Sequence, residues 1–365
     1  MSTRIGLRTV LREWGRLGLI GFGGPPAHVA LLRRLCVDER RWIDARAFED
    51  ANAACQLLPG PASTQLAIFC AHRVGGARGA VVGGLAFILP GLVALIALAA
   101  LTLGDDPPTW VLGAAAGAGA AVVAVVVQAG VDLGRTGVRS LRAAVYLAVG
   151  FATTVLLGPW VVLALVGCGV VELVWRRGTP PALLSVAALP ALAWVAFQVG
   201  ALSYGGGFVI VPLMQGEAVD GRGWMTEGEF LSAVALGQLT PGPVVQTVAA
   251  VGWAAAGLGG ALLAAAIAFA PSFLVVLLGG ARFERLRRAP GPRAFLDGAG
   301  PAAVGAILGA AVPLLAGVDE AWQVAVLAVA ALLLARGRGG VVVVLLGAAA
   351  AGAVIAAAGG PLPPR

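Results

Sequence analysis

The side chains able to do chemistry in this chain are few, and they stand directly behind helix breakers. His28 follows Gly21-Phe22-Gly23-Gly24-Pro25-Pro26; Ser63, Thr64 and Gln65 follow Leu58-Pro59-Gly60-Pro61. The pattern returns 182 residues later as Tyr204-Gly205-Gly206-Gly207, then Thr240 and Pro241-Gly242-Pro243 ahead of Gln246 and Thr247. Hydroxyls, amides and an imidazole behind a break suit the holding of an anion. A helix that starts there leaves its first N–H groups without intrahelical partners and turns the positive end of its dipole toward the break. Proline in that first turn loses no hydrogen bond.

Other chemistries find no support in the residues. HExxH, GxSxG and P-loop sequences are absent, so no enzymatic activity and no built-in ATP hydrolysis is expected. Two histidines, His28 and His72, exclude a multi-histidine metal centre. Cys36, Cys55, Cys70 and Cys168 lack ligand spacing and read as reduced packing residues. No cofactor and no metal is expected.

The elements that must position these residues lie in an apolar chain. Of 365 residues, 59% are hydrophobic and only 12% charged, about half the charged share of a soluble domain; mean hydropathy is +0.92. The stretches 79–103, 107–131, 143–171, 178–216, 230–281 and 298–318 contain no Asp, Glu, Lys or Arg. Some ~20 such residues cross a bilayer, so the expected fold is an all-α polytopic membrane protein. The net charge of +7 comes with arginine as the sole basic residue besides histidine, mostly in short connections. That pattern suits cytoplasmic loops in a lipid bilayer rather than nucleic acid. Arg4, Arg8, Arg12 and Arg16 read as an interfacial start to the first helix, not a secretory signal.

Aligning the chain with itself at an offset of 182 residues matches Val37-Asp38 to Val219-Asp220 and Trp42 to Trp224. It also matches Pro59-Gly60-Pro61 to Pro241-Gly242-Pro243, Gly75 to Gly257 and Phe87 to Phe269. The chain therefore reads as a tandem duplication, residues 1–180 and 181–365. Expected helices in the first half are 8–21, 26–37, 46–57, 62–73, 79–103, 109–132, 143–158 and 160–174. In the second they are 183–204, 207–216, 228–239, 244–255, 257–281, 297–317, 321–335 and 339–358. The Trp42 loop carries Arg33, Arg34, Arg40, Arg41 and Arg46, whereas its counterpart carries Glu217, Asp220, Glu227 and Glu229 beside Arg222. The next pair of loops reverses: Asp105 and Asp106 against Arg282, Arg285, Arg287, Arg288 and Arg293. Equivalent loops on opposite faces are the mark of inverted-topology repeats. Arg4–Arg16 and Arg176-Arg177, which precede equivalent segments, depart from that pattern.

A break inside a bilayer exposes backbone groups that lipid cannot satisfy, at several kcal/mol each. Protein, water or a ligand has to supply the partners. Taken singly, a Gly-Gly pair also serves close helix packing and Pro-Gly-Pro also serves a tight turn. Two breaks per half, each followed by polar residues, favour a substrate site of broken, re-entrant helices between the halves. Glu49 and Asp50 sit where complementing a helix dipole accounts for them, with proton coupling as the alternative. His28 and Gln65 are candidate ligands.

At these residues the sequence resembles the chromate ion transporter family in its long, two-domain form. The likeness rests on Gly21 through His28 with Arg33-Arg34 after it, on Leu58 through Ile68, and on Phe87-Ile88-Leu89-Pro90-Gly91. Tyr204-Gly205-Gly206-Gly207-Phe208 and Gly237 through Val244 carry it in the second half. The resemblance implies proton-motive-force-driven efflux of chromate across the inner (plasma) membrane and chromate resistance, with protons as coupling ion. Sulfate, an isosteric tetrahedral dianion, is a related candidate substrate. The residues it marks are Gly23, Gly24, Pro25, Pro59, Gly60, Pro61, Ser63, Thr64, Gln65, Gly205, Gly206, Pro241, Gly242 and Pro243. His28, Gly207 and Thr240 join them from the reading of the breaks. Another transported anion, a passive anion channel and a scaffold without transport are the competing readings, and a homodimer is left open.

Overall fold

The computed structural model describes residues 5–22, 24–56, 60–104, 106–157, 160–177, 210–279, 290–337 and 339–363. These residues are helical and contain no strand. The first half holds α1 (Leu7–Ile20), α2 (Gly24–Arg33), α3 (Ala45–Gln56), α4 (Ala62–Thr102), α5 (Thr109–Gly137), α6 (Leu141–Leu157) and α7 (Val161–Arg177). The second holds α8 (Ile210–Gln215), α9 (Glu227–Leu239), α10 (Thr247–Gly279), α11 (Pro290–Leu314), α12 (Ala321–Ala335) and α13 (Val341–Ala357). The helix expected over 183–204, which would test the departure at Arg176-Arg177, lies outside the described residues.

Among the described residues four stretches are long and apolar enough to cross a membrane: Ala62–Thr102, Thr109–Arg135, Val244–Leu278 and Asp297–Gly317. Two of them are more than single spans. α4 reverses at Gly76 (φ 68°, ψ −163°), and α10 reverses at Ala256 and Gly257 (φ 57°, ψ −149°). Across the first reversal Ala71 packs on Gly83 and Ile68 on Gly84; across the second Gly252 packs on Gly260. Each arm before a reversal is thus a half-helix folded back on a full span. The reversing glycine of the first half is Gly76, one residue beyond the sequence partner of Gly257, Gly75. The second half makes its reversal one residue earlier, with Ala256 also leaving the helical region.

α1, α2 and α3 have 14, 10 and 12 residues, about 15–21 Å at 1.5 Å per residue. That length reaches about half of a ~30 Å hydrocarbon core or a little more. The Ile5 N–H bonds the Val74 carbonyl (2.9 Å) beside the Gly76 reversal, and the Trp14 indole N–H bonds the Ala67 carbonyl (2.8 Å). α1 therefore enters from the face of the reversal and stops at Gly21. α2 returns, α3 re-enters, and the first arm of α4 returns again.

The duplication is visible atom by atom in the turn between the re-entrant pairs. Arg34–Glu39 and Gly216–Gly221 both form a π-helical turn. The Trp42 N–H bonds the Cys36 carbonyl and the Trp224 N–H bonds the Ala218 carbonyl, each at 2.8 Å. Arg40 lies over Trp42 and Arg222 over Trp224, 5.8 and 5.2 Å from the ring centres. Arg41 takes a left-handed φ of 52° where its counterpart is Gly223 (φ 59°).

The halves are inverted relative to each other. α5 and its equivalent α11 pack antiparallel, with Gly130 against Leu308 and Gly134 against Val304. A two-fold axis along the membrane normal would set equivalent spans parallel, so the axis lies in the membrane plane. The halves also interlock: α6 and α7 pack on α11, while α12 and α13 pack on α5. Buried Glu172 of α7 secures one of these contacts. It accepts from Tyr146 of α6 (3.0 Å) and from Arg176 (2.9 Å), and Arg176 also reaches Asp297 of α11 (2.9 Å).

Inversion sorts the charge. Arg73 and Arg78 at the first reversal, the Trp42 turn, and Arg135 and Arg139 after α5 lie on one face. Asp106, the acidic Trp224 turn, and Asp319 and Glu320 lie on the other. Exposed Arg41 and Gly223 are equivalent positions for a direct check, since all four native cysteines are buried. A membrane-impermeant maleimide applied to intact cells is expected to label Gly223→Cys and leave Arg41→Cys unlabelled, with the reverse in everted vesicles. Labelling of both from one side would contradict the inversion.

Candidate functional site

The breaks meet at the carbonyl oxygen of Gly21. α1 ends there because Gly21 leaves the helical region (φ −75°, ψ 60°), and the freed carbonyl accepts two bonds. One comes from His28 Nε2 on α2 (2.9 Å), the other from the Gly242 N–H of the second half (2.9 Å). The other imidazole nitrogen of His28, Nδ1, lies 3.1 Å from Ser63 Oγ at the start of α4. Three breaks, two from the first half and one from the second, thus converge through one carbonyl and one buried imidazole. Phe87 packs against that ring in a T-shaped arrangement, with centroids 5.1 Å apart.

The second-half break is held from both sides. Gln246 is buried and donates through Nε2 to Thr240 Oγ1 (2.7 Å) and to the Pro241 carbonyl (3.1 Å). Because the carbonyl can only accept, this fixes the orientation of the amide. The Thr240 hydroxyl in turn donates to the Leu236 carbonyl (2.9 Å). Gly91, on the spanning arm of α4, touches the same loop; a Cβ there would overlap the Pro241 carbonyl oxygen. Gly242 (φ 106°) and its equivalent Gly60 (φ 114°) both take left-handed backbone, which L side chains avoid at ~1–2 kcal/mol.

The candidate residues fall into place as follows. Gly24 (φ 72°) and Pro25 open α2, and Pro61 caps α4. Ser63, Thr64 and Gln65 form the buried first turn of α4. The first intrahelical bond runs from the Gln65 N–H to the Pro61 carbonyl (3.0 Å). The N–H groups of Ala62, Ser63 and Thr64 therefore precede the ladder. Pro243 leads into the short turn Val244–Gln246 and α10. Gly23, Pro59, Gly205, Gly206 and Gly207 lie outside the described residues, so the fourth break is not placed. Arg33 and Arg34 are occupied by carboxylates, Glu49 at 3.0 Å and Glu39 at 2.7 Å, which accounts for Glu49 without the substrate.

Gly21, Gly91 and Gln238 fall inside the sequence motifs but not among the candidate ligands, and Ser272 falls in neither. Among the described residues, the buried hydroxyls of Thr64 and Ser272 and the buried Gln238 Nε2 find no partner. An unmet buried donor costs about 1–3 kcal/mol. Thr64, Gln238 and Ser272 lie on the elements that form or flank the breaks. No bond at this centre involves a charged side chain among the described residues. What the arrangement can do is offer hydroxyl, amide and backbone N–H donors, backed by helix dipoles, to an anion shielded from water.

Interlocked inverted halves whose broken helices meet between them make this a membrane protein of the inverted-repeat class. The family profile described as Chromate transporter matches residues 8–173 and 190–353. The chromate transport protein of Cupriavidus metallidurans is 33% identical over 331 residues, spanning 84% of this chain and 82% of its own length. A probable chromate transport protein of Synechococcus elongatus is 32% identical over 333 residues, covering 84% of each chain. The chromate transport protein of Pseudomonas aeruginosa is 31% identical over 324 residues, 80% of this chain and 77% of its own. No solved structure matches the chain. The chain belongs to the chromate transporter family.

Proposed function

We propose that this protein is a secondary transporter that exports chromate across the inner (plasma) membrane, driven by the proton-motive force, and so confers chromate resistance. The observation that carries the reading is the meeting of three helix breaks from both halves at the Gly21 carbonyl. In inverted-repeat transporters substrate binds at such a junction, and rocking of one repeat against the other exposes it alternately to the two faces. The names of the relatives supply chromate as the first substrate to test. The donor chemistry fits any tetrahedral oxyanion, sulfate included. On this reading Ser63, Thr64, Gln65 and the first N–H groups of α4 hold the ion from one half, and the Thr240–Pro243 segment of the other closes the site through the bond from Gly242 to Gly21. Residues 1–180 and 181–365 are the two repeats, and the Arg-rich face is cytoplasmic by the positive-inside bias.

Everted membrane vesicles containing the protein test the proposal. Energised vesicles are expected to accumulate chromate, an uncoupler to abolish the accumulation, and sulfate to compete. Uptake indifferent to the gradient would replace the transporter with a passive channel. Equal chromate tolerance in cells with and without the protein would remove the resistance role.

A further inference from the structure

At the meeting point of the breaks one described side chain titrates, His28, and its surroundings fix what a proton there would do. The inference rests on the transport reading above and adds to it. We propose that His28 is a proton site linked to the transported oxyanion, and that proton and anion bind together rather than in exchange.

The Gly21 carbonyl can only accept, so Nε2 carries a hydrogen in both charge states of the ring. Nδ1 is then the remaining basic position. Beside a neutral ring, Ser63 donates its hydroxyl proton to Nδ1 across 3.1 Å. That hydroxyl then turns lone pairs outward, the wrong sign for an anion. A proton arriving from solvent at Nδ1 reverses the bond. The ring donates, Ser63 Oγ accepts, and the hydroxyl hydrogen is released to point away from the ring. Ser63 is the second residue of α4, so the released hydrogen joins the N–H groups at the positive end of that half-helix. Protonation thus supplies one cation and one donor at the place proposed for the anion. Without an anion, the same imidazolium would face a positive helix end. Each ligand therefore strengthens the other, and the coupling is reciprocal.

The charged and titratable groups on the surrounding helices leave the ring to Gly21 and Ser63. On α1, Glu13 is held by Arg12 (3.1 Å) and Arg40 (2.7 Å). Arg33 at the end of α2 pairs with Glu49 of α3, and Asp50 of α3 also has an interaction of its own. Cys36 and Cys55 are buried; Cys70, His72, Arg73 and Arg78 lie on α4 toward its reversal and beyond it. None of these bonds the imidazole, whose partners are Gly21 and Ser63. A consequence concerns the driving force. A dianion carried with one proton leaves as a single net negative charge, so the electrical part of the gradient drives export and the pH part opposes it.

Calorimetric titration of the purified full-length protein with sodium chromate, in pairs of buffers with different ionisation heats, counts the protons bound. Chromate takes up protons itself, so the reading is the difference between wild type and His28→Gln, with selenate as a second probe. Wild type is expected to take up about one proton more per anion than His28→Gln. Its affinity should rise up to about tenfold per unit fall in pH beyond any slope that His28→Gln retains. Ser63→Ala, which keeps the ring and removes the reorienting hydroxyl, is expected to weaken binding and flatten the slope even if the histidine variant misfolds. Equal proton uptake in wild type and His28→Gln, release in place of uptake, or an unaltered slope in Ser63→Ala would overturn the inference alone. A folded wild type that binds neither anion would overturn the transport reading and this inference with it.

Discussion

Gly91→Leu is expected to reduce chromate accumulation in everted vesicles to the level of membranes without the protein. A Cβ at position 91 would overlap the Pro241 carbonyl oxygen and press on Gln246 Oε1. Backbone, not a flexible side chain, would have to move. Overpacking of an ordinary core costs about 1–3 kcal/mol. Here the displaced group is the loop that gives its Gly242 N–H to Gly21, so the expected damage falls on the junction between the halves. Gly167→Leu is the control. Gly167 is an exposed position on α7 where an added Cβ meets nothing, and near-normal accumulation is expected. Equal activity of the two variants would show that the approach of α4 to the second-half break is irrelevant to transport.

Gly242→Leu carries the second large effect. Its φ of 106° is strained for any L side chain, and its Cβ would meet Gln246 Oε1 at 3.1 Å. Transport is expected to fall at least about tenfold, the rate equivalent of ~1.4 kcal/mol, with membrane insertion retained. Gly60→Leu shares the backbone strain (φ 114°) without the bond to Gly21, so a smaller loss is expected. Pro61→Leu should be mildest: Pro61 sits at φ −69°, open to most residues. A ranking that puts Pro61→Leu first would mean that the rigidity of the ring, not the glycine conformation, shapes the break. Loss of insertion in Gly242→Leu would make the break a folding element.

The breaks themselves were legible because glycine and proline in apolar sequence have few other readings. The bounds of α3, α6, α7, α9, α12 and α13 fall within two or three residues of those expected from pattern. Inversion was legible too, from loop charge, and the antiparallel contact of α5 with α11 bears it out. Other features carry no mark in residue type. The acceptor that gathers the breaks is a backbone carbonyl, and every residue has one. Gly91 is one of 54 glycines, and nothing local says that a carbonyl from the other half lies against it. The order of α6, α7, α12 and α13 along the chain does not say that each pair crosses to the opposite half. The shift of the reversing glycine to Gly76 is a one-residue adjustment inside a gapless alignment, invisible until backbone angles are known.

If the helix breaks of both halves enclose one oxyanion site, a bound chromate marks the place where they meet. Anomalous scattering from chromium, in crystals of the full chain grown with chromate, tests it most directly. One strong peak is expected beside the first turn of α4 and the Thr240–Pro243 segment, within hydrogen-bonding reach of Ser63 or Thr64. A peak confined to surface arginines such as Arg33 and Arg34, with none at the breaks, would contradict it.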